Sequence, residues 1–142
     1  MSRLDSVIRR LAAQRACLEA AARLIAELPG PVLEVGLGNG RTFDHLREIL
    51  PGREIFALDR RIAAHPDCVP DSAHAVVGDF HDTVQKLLGL LGAPAALAHC
   101  DTGSGDKVAS LELAAWLGPA LNPVLVAGAV VTSDQPMAVP GW

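Results

Sequence analysis

Three glycines at alternate positions, shortly after an acid, are the residues of this sequence best suited to ligand binding. Residues 31–42 read PVLEVGLGNGRT, so a short apolar run that carries Glu34 leads into Gly36, Gly38 and Gly40. Glycine permits positive φ angles and lets a ligand approach the backbone closely. Thr42 can cap the following helix, whose N-terminus offers free N–H groups to a carboxylate or phosphate. The pattern predicts a loop that binds a nucleotide cofactor.

Further acids follow at the ends of later apolar runs. Asp59 lies 19 residues beyond the last glycine of the loop, where a carboxylate can accept both hydroxyl groups of a ribose. Asp79 follows Gly78 at the end of a third run, and Asp101 ends a fourth. If these runs are parallel strands, their C-terminal ends form one edge of the sheet, which is where such sheets bind ligands.

Two classes of cofactor are bound by loops of this kind. Dinucleotide-binding folds use the spacing G-x-G-x-x-G, but Arg41 occupies the position of the third glycine here, and the observed spacing is G-x-G-x-G. An NAD-dependent oxidoreductase is therefore the less favoured alternative. The acid at position 59 supports a ribose and does not distinguish the two classes.

The elements that would position these residues alternate between helices and strands. Apolar residues recur at three- and four-residue steps from Leu4 to Leu28, which predicts an amphipathic N-terminal helix. Strands are predicted at 32–35, 54–59, 73–80, 95–101 and 128–132, and further helices at 42–50, 83–91 and 107–121. This order predicts a single α/β domain with a Rossmann-like, doubly wound and mostly parallel sheet of about five strands. Residues 1–28 would form the helix, 29–134 the cofactor-binding core and 135–142 a tail.

Composition narrows the functional classes. The 142 residues are 50% hydrophobic and 20% charged, but no apolar run reaches the roughly 18 residues of a membrane span. A net charge of −4 argues against a nucleic-acid partner. The three cysteines are far apart and match no zinc motif. We expect a cytoplasmic protein with neither a membrane partner nor a bound metal.

The first motif also carries a resemblance to a known family. Val32 to Gly40 matches in full the first motif of the class I S-adenosylmethionine-dependent methyltransferases, which runs apolar, apolar, acid, x, Gly, x, Gly, x, Gly. The chain resembles that family over roughly residues 30–134. Segments 2–5 and 14–19, together with the loop, are similar to a small bacterial group of short methyltransferase-like proteins of unassigned substrate.

The resemblance implies a cofactor, S-adenosyl-L-methionine, but no particular acceptor, which we expect to be a small molecule. It implies that Asp59 holds the ribose, that Asp79 accepts the exocyclic amine of adenine and that Phe80 lies against the ring. Asp101 would face the methionine ammonium and is the candidate catalytic residue. The implied cofactor-binding residues are Glu34, Gly36, Leu37, Gly38, Asn39, Gly40, Thr42, Asp59, Arg60, Gly78, Asp79, Phe80 and Asp101.

Several alternatives stay open at this stage. Asp101, Asp106 and Asp134 could approach one another and hold a divalent cation, although three acids on loops are more often solvated. The family usually continues into sixth and seventh strands, whereas only eight residues follow Asp134, which leaves a cofactor-binding module without catalysis as a second hypothesis. The fifth strand would then be an apolar edge, and such an edge predicts a homo-oligomer, most simply a dimer.

Overall fold

The chain folds into a parallel five-stranded sheet with two helices on each face. The computed structural model describes residues 1–142. In chain order the elements are α1 (Arg3–Leu24), β1 (Val32–Val35), α2 (Arg41–Ile49), β2 (Ile55–Asp59), a 3-10 turn (Pro66–Cys68), β3 (Ala75–Val77), α3 (Phe80–Leu91), β4 (Ala95–Cys100), α4 (Lys107–Leu121), a second 3-10 turn (Asn122–Val124) and β5 (Leu125–Ser133). The strand order is β3-β2-β1-β4-β5, with every pair parallel. The predicted Rossmann-like fold class is confirmed.

Two hydrophobic cores flank the sheet. Helices α1 and α2 cover one face with side chains such as Leu18 and Leu46, which we call the α1/α2 core. Helices α3 and α4 cover the other face with side chains such as Leu87 and Leu117, which we call the α3/α4 core. Because the central strands are buried on both faces, they are almost continuously apolar, as the sequence showed.

The winding direction of the chain reverses between β1 and β4. The chain moves outward from β1 through β2 to β3, then returns to the other side of β1 and continues through β4 to β5. Loops from these two neighbouring strands diverge at their C-terminal ends, which opens a crevice at that edge. Val35 and Cys100 end the two strands and are directly paired in the register. The acid-bearing loops therefore begin at the predicted edge of the sheet.

Some element boundaries differ from the sequence predictions. Helix α3 begins at Phe80 rather than Thr83, because the Asp79 carboxylate accepts the His81 N–H and caps the helix. Strand β3 is correspondingly short. Strand β5 begins three residues earlier than predicted and has a register shift against β4, with Gly128 at φ +84° inside it.

The first two turns of α1 do not pack against the rest of the chain. Leu18 and Ala21 are buried, whereas Leu4 and Ile8 are exposed although they continue the same apolar pattern. Ser2 and Asp5 form a capping box that starts the helix. The amphipathic helix is therefore present, but its first turns extend beyond the body of the domain.

The tail, residues 135–142, packs against α4 and does not add a strand to the sheet. Val139 and Met137 lie over Gly118, where a Cβ would meet Val139 Cγ2 at 2.7 Å. The Trp142 indole N–H donates to Asn122 Oδ1 at 2.7 Å. Within residues 1–142, β5 therefore pairs on one side only and forms an edge of the sheet.

Helix α1 ends at Leu24 rather than Leu28. Arg53 holds the segment that follows by hydrogen bonds to its backbone. Its guanidinium group donates to the carbonyl oxygens of Ile25, Leu28 and Gly30 at 2.7 to 2.8 Å. These acceptors include orphan carbonyl groups of a helix end, which need a donor when they are partly buried. Arg53 thus joins the start of β2 to the connection between α1 and β1.

Replacing Arg53 by methionine is expected to lower the free energy of unfolding by about 2 kcal/mol, because three carbonyl groups lose a charged donor while much of the side-chain volume is kept. Urea denaturation measures the change. Arg61→Met is the matched control, since Arg61 is exposed in a loop. Equal stability of the two variants would contradict a structural role for Arg53.

Candidate functional site

The three loop glycines face different surroundings although all have positive φ angles of +95°, +53° and +85°. A Cβ at Gly36 would collide with the Asp101 carbonyl oxygen, and one at Gly40 would meet Cys68 Cβ at 2.6 Å. A Cβ at Gly38 would have no atom within 4 Å. Gly36 and Gly40 are therefore required for packing within the protein, whereas Gly38 faces open space.

The Asp59 carboxylate contacts the loop at Gly38. Asp59 Oδ2 accepts the Gly38 N–H at 2.9 Å, and Asp59 Oδ1 accepts the Arg60 N–H at 2.7 Å. The carboxylate thus lies where the glycine loop meets the end of β2, and the two elements predicted to hold the cofactor are in contact.

The remaining loop residues have structural contacts as well. The Leu37 side chain is buried in the α1/α2 core, so this residue presents its backbone to the site. Asn39 Oδ1 accepts the Arg41 N–H at 3.1 Å and so supports the turn into α2. The predicted capping role of Thr42 is wrong. Gly40 occupies the cap position in a left-handed conformation, and the Thr42 hydroxyl group instead donates to Glu34 Oε1 at 2.8 Å.

Glu34 is fully buried in the middle of the sheet. Its second carboxyl oxygen, Oε2, has no hydrogen-bond partner. Burial raises the pKa of Glu34 well above its ordinary value of 4.5, against the opposing effect of the Thr42 hydrogen bond, and the nearby charge of Asp101 raises it further. Glu34 therefore orders the loop from below, through Thr42, rather than by projecting into a cavity.

Glu34 belongs to a row of polar side chains that crosses three neighbouring strands. The register pairs Glu34 with His99 and His99 with Thr132, and we call these three residues the polar row. His99 Nε2 lies 4.0 Å from Glu34 Oε1, and His99 Nδ1 lies 2.7 Å from Thr132 Oγ1. Burial lowers the pKa of His99, although the charges of Asp101 and Asp134 act in the opposite direction. The neutral imidazole is therefore favoured.

Gln14 of α1 joins the polar row to Asp101. The Gln14 amide nitrogen lies 3.0 Å from Asp101 Oδ2 and 3.3 Å from His99 Nε2. With an N–H directed at each, His99 Nε2 is an acceptor and Nδ1 carries the proton that is donated to Thr132. The sequence analysis assigned no role to Gln14. The available signal was a polar residue on the buried face of α1, between Leu11 and Leu18.

Asp101 lies between two cavities at the C-terminal ends of the strands. The loop cavity, of about 240 Å³, is bounded by the glycine loop, including Gly38 and Asn39, and by α1. The outer cavity, of about 560 Å³, lies between α1 and the ends of β4 and β5. Arg10, Gln14 and Asp101 line both. The two cavities therefore share one wall.

A third cavity, of about 470 Å³, lies beyond the ends of β2 and β3 and contains Arg60, Asp79 and Phe80. Asp79 caps α3, and its hydrogen bonds with the His81 N–H and the His81 ring lower the pKa of this carboxyl group. Arg60 Nη2 lies 3.6 Å from Asp79 Oδ2. Phe80 is half-buried against the α3/α4 core. The predicted adenine-side residues therefore lie together, next to Gly78.

This region also contains an aromatic contact that sequence reasoning missed. The rings of His81 and Trp116 have centroids 4.1 Å apart. Trp116 lies on α4, thirty-five positions after His81, and no spacing in the sequence indicates that the two side chains are in contact. His81 lines the third cavity beside Phe80.

The alternative of a cation held by three acids has no support in the geometry. Asp106 caps α4 by accepting the Ala109 N–H, and Asp134 accepts the N–H groups of Thr102 and Gly103. No group of three or more His, Cys, Asp or Glu side chains is placed to hold a metal ion. Asp134 instead holds the loop after β4 against the end of β5.

The parallel sheet, the glycine loop and the cavities at the reversal point define a nucleotide-cofactor-binding α/β protein. Comparison of the sequence with known families is more specific. The chain belongs to the S-adenosyl-L-methionine methyltransferase family, whose sequence profile matches residues 1–141. A search of curated proteins found no match. None of the helices has the length and apolar character needed to span a bilayer.

Solved structures agree with the family. An S-adenosyl-L-methionine methyltransferase from Silicibacter pomeroyi DSS-3 is 42% identical, with a TM-score of 0.92 over 99% of this chain and 86% of that chain. CalS11, a calicheamicin methyltransferase, is 22% identical, with a TM-score of 0.61 over 89% of this chain and 65% of that chain. The second similarity concerns the fold alone.

The residues at the site fit the cofactor that the family implies. Gly38 leaves the loop cavity open where any larger residue would project. Asp59 lies between Gly38 and Arg60, which line the loop cavity and the third cavity respectively. Asp101 supplies a carboxylate to the loop cavity, which suits a cationic group.

Replacing Glu34 by glutamine is expected to change how stability depends on pH. Because the folded-state pKa of Glu34 lies above the unfolded-state value of 4.5, the folded protein retains a proton that the unfolded chain has released. Wild-type stability relative to Glu34→Gln is therefore greatest below pH 4.5 and falls as the pH rises through the raised pKa. Urea denaturation of both proteins from pH 4 to pH 9, an estimated range around the ordinary pKa values of carboxyl and imidazole groups, measures the difference.

His99 titrates in both proteins, so its own contribution largely cancels in this difference. The matched control is Glu48→Gln on the exposed side of α2, which makes the same change of side chain outside the core. A constant difference between wild type and Glu34→Gln would show that Glu34 is ionised in the folded protein.

Proposed function

We propose that this protein transfers a methyl group from S-adenosyl-L-methionine to a small-molecule acceptor. The observation that carries the proposal is the wall shared by the loop cavity and the outer cavity, formed by Arg10, Gln14 and Asp101. The two cavities adjoin at these three residues, so a methyl donor in the first and an acceptor in the second would be neighbours. At about 560 Å³, the outer cavity has the size of a small-molecule pocket.

The cofactor would extend from the loop cavity to the third cavity. Its methionine end would lie along Gly38 with its ammonium group at Asp101, its ribose hydroxyl groups would bind Asp59, and its adenine would lie at Asp79 and Phe80. The Gly38 N–H and Asp59 already contact each other, so ligand binding would exchange part of that hydrogen bonding for contacts with the ribose.

The cofactor supplies a methyl group on a positively charged sulfur, which is already activated as a leaving group. The protein therefore has to align the acceptor and exclude water more than it has to provide an acid or a base. The hydrogen bond from Gln14 fixes the Asp101 side chain at the shared wall. Helix α1 contributes two of the three residues of this wall, Arg10 and Gln14.

We also propose that the protein is cytoplasmic. All three cysteines are free, with Cys17 exposed and Cys100 buried, which fits a reducing cytoplasm. Burial raises the pKa of Cys100 to about 12, so its thiol is not a nucleophile at neutral pH. A net charge of −4 gives no general attraction to nucleic acids.

Replacing Asp59 by alanine is expected to weaken S-adenosyl-L-methionine binding about 10- to 100-fold, because the ribose loses a charge-assisted pair of hydrogen bonds. Titration calorimetry measures the affinity. Asp82→Ala is the matched control, since Asp82 is exposed on α3 and lines none of the three cavities described. Equal affinity of wild type and Asp59→Ala would exclude Asp59 from the site.

Titrations with the candidate cofactors, together with an assay of methyl transfer, distinguish the alternative functions. Binding of S-adenosyl-L-methionine without methyl transfer to any acceptor would support a cofactor-binding module. If the protein binds NAD but binds neither S-adenosyl-L-methionine nor S-adenosylhomocysteine, the proposal is overturned in favour of an oxidoreductase.

We also propose that the protein is a two-fold homodimer. Strand β5 is an edge with no charged side chain between Leu125 and Ser133. Its exposed side, which includes Gly128, and Trp142 of the tail border a surface cavity of about 670 Å³. An uncharged edge of this kind favours pairing with a second copy.

Sedimentation at tens of micromolar, an order-of-magnitude choice from the affinity scale, is expected to give a dimer mass. Ala129→Lys should shift the mass toward the monomer, because a charge on the edge disfavours pairing. Leu88→Lys, on an exposed position of α3, is the matched control and should remain a dimer. A monomeric wild type would refute the proposal.

A further inference from the structure

The outer cavity contains no free imidazole that could serve as a general base, and its other ionisable side chains are Arg10, Cys17, Asp101 and Asp134. The buried His99 is the only imidazole in its lining, and both of its ring nitrogens have partners. Nδ1 lies 2.7 Å from Thr132 Oγ1, and Nε2 lies 3.3 Å from the Gln14 amide nitrogen. Burial also lowers the pKa of His99. His99 therefore positions Gln14 and is not available to take a proton from an acceptor.

The acids of the outer cavity are carboxylates that already accept hydrogen bonds. Asp134 accepts the N–H groups of Thr102 and Gly103, and Asp101 accepts an N–H of Gln14. These hydrogen bonds compete with an acceptor for the lone pairs of both carboxylates. An acceptor that needs no base is therefore the better fit to this cavity.

The charge of the lining selects further among nucleophiles. Its charged side chains are the two carboxylates of Asp101 and Asp134 and the one guanidinium of Arg10, so carboxylates are in excess. Carboxylates disfavour a thiolate or carboxylate acceptor, which would bring a further negative charge into the cavity. They favour a neutral nucleophile that becomes positive during the reaction, because a developing cation is stabilised by fixed negative charge.

We propose that the outer cavity binds a small primary or secondary amine and that the protein methylates it on nitrogen. This inference rests on the proposed methyltransferase function and names the acceptor class. The ammonium form of the amine first releases a proton to water. The nitrogen lone pair of the neutral amine then forms the new C–N bond as the S–C bond breaks, and the bonding pair of the S–C bond remains on sulfur, giving S-adenosylhomocysteine. The resulting alkylammonium ion then releases a proton to water.

The test uses two matched series of probes that differ only in the reacting group. The first is benzylamine, benzyl alcohol, benzyl mercaptan and benzoate, and the second carries the same four groups on an n-butyl chain. Each compound is titrated into the complex of the protein with S-adenosylhomocysteine, which cannot react. An amine is expected to bind at least tenfold more tightly than the other members of its series.

Mass spectrometry of the same probes with S-adenosyl-L-methionine is expected to show an N-methyl product and no O- or S-methyl product. Tighter binding or methylation of an alcohol, thiol or carboxylate would overturn the inference. So would the absence of amine binding to a protein that binds S-adenosylhomocysteine. Failure to bind S-adenosylhomocysteine would instead refute the methyltransferase proposal itself.

A variant tests whether the carboxylate is responsible. Asp134→Asn keeps an oxygen that can accept an N–H from the loop but removes the charge. It is expected to weaken amine binding several-fold in the S-adenosylhomocysteine complex, by more than any change in S-adenosylhomocysteine affinity, because Asp134 also holds the Thr102–Gly103 loop beside the cofactor cavities. Asp82→Asn on α3 is the matched control. Unchanged amine binding by a folded Asp134→Asn protein would contradict the electrostatic argument.

The pH dependence of amine methylation gives a readout that needs no variant. The rate should follow the neutral fraction of each amine, so its midpoint should move with the basicity of the amine chosen. A midpoint that stays fixed across amines of different basicity would indicate an enzyme base and would contradict the inference.

Discussion

The site depends on polar side chains buried in the centre of an apolar sheet. A buried carboxyl or imidazole group is costly unless it is hydrogen-bonded, so the polar row of Glu34, His99 and Thr132 constrains everything that packs on it. Thr42 must approach Glu34, which fixes the start of α2. Gln14 must approach His99, which fixes α1 over the ends of the strands. The cavities form between the elements that these contacts hold in place.

The division of roles among the acids follows from where each lies relative to water. Glu34 is enclosed and supports the loop through Thr42. Asp59 and Asp79 lie at the ends of their strands and accept backbone N–H groups that a ligand can compete for. Asp101 lies between two cavities, held by Gln14. Four acidic side chains near one edge of a sheet thus have three kinds of environment, and only those outside the core can meet a ligand directly.

Much of the fold could be predicted because local patterns determine it. The apolar runs around Glu34 and His99 require strands buried on both faces, and the alternation with helices requires parallel crossovers. The boundaries were less predictable. Asp79 was assigned to a strand end, whereas its side chain caps a helix that starts immediately afterwards. Whether a Gly-Asp pair ends a strand or starts a helix depends on which N–H groups are nearby in space.

The sequence by itself determined the parallel sheet, the glycine loop and the acids at the strand ends, because these follow from apolar periodicity and from residues with special backbone freedom. Only the tertiary structure decided that Thr42 donates to Glu34, that Gln14 bridges Asp101 and His99, and that the ring of His81 contacts that of Trp116. The contacts of Gln14 join residues 85 and 87 positions apart. Such contacts leave no local pattern, because strand register and helix packing bring the partners together.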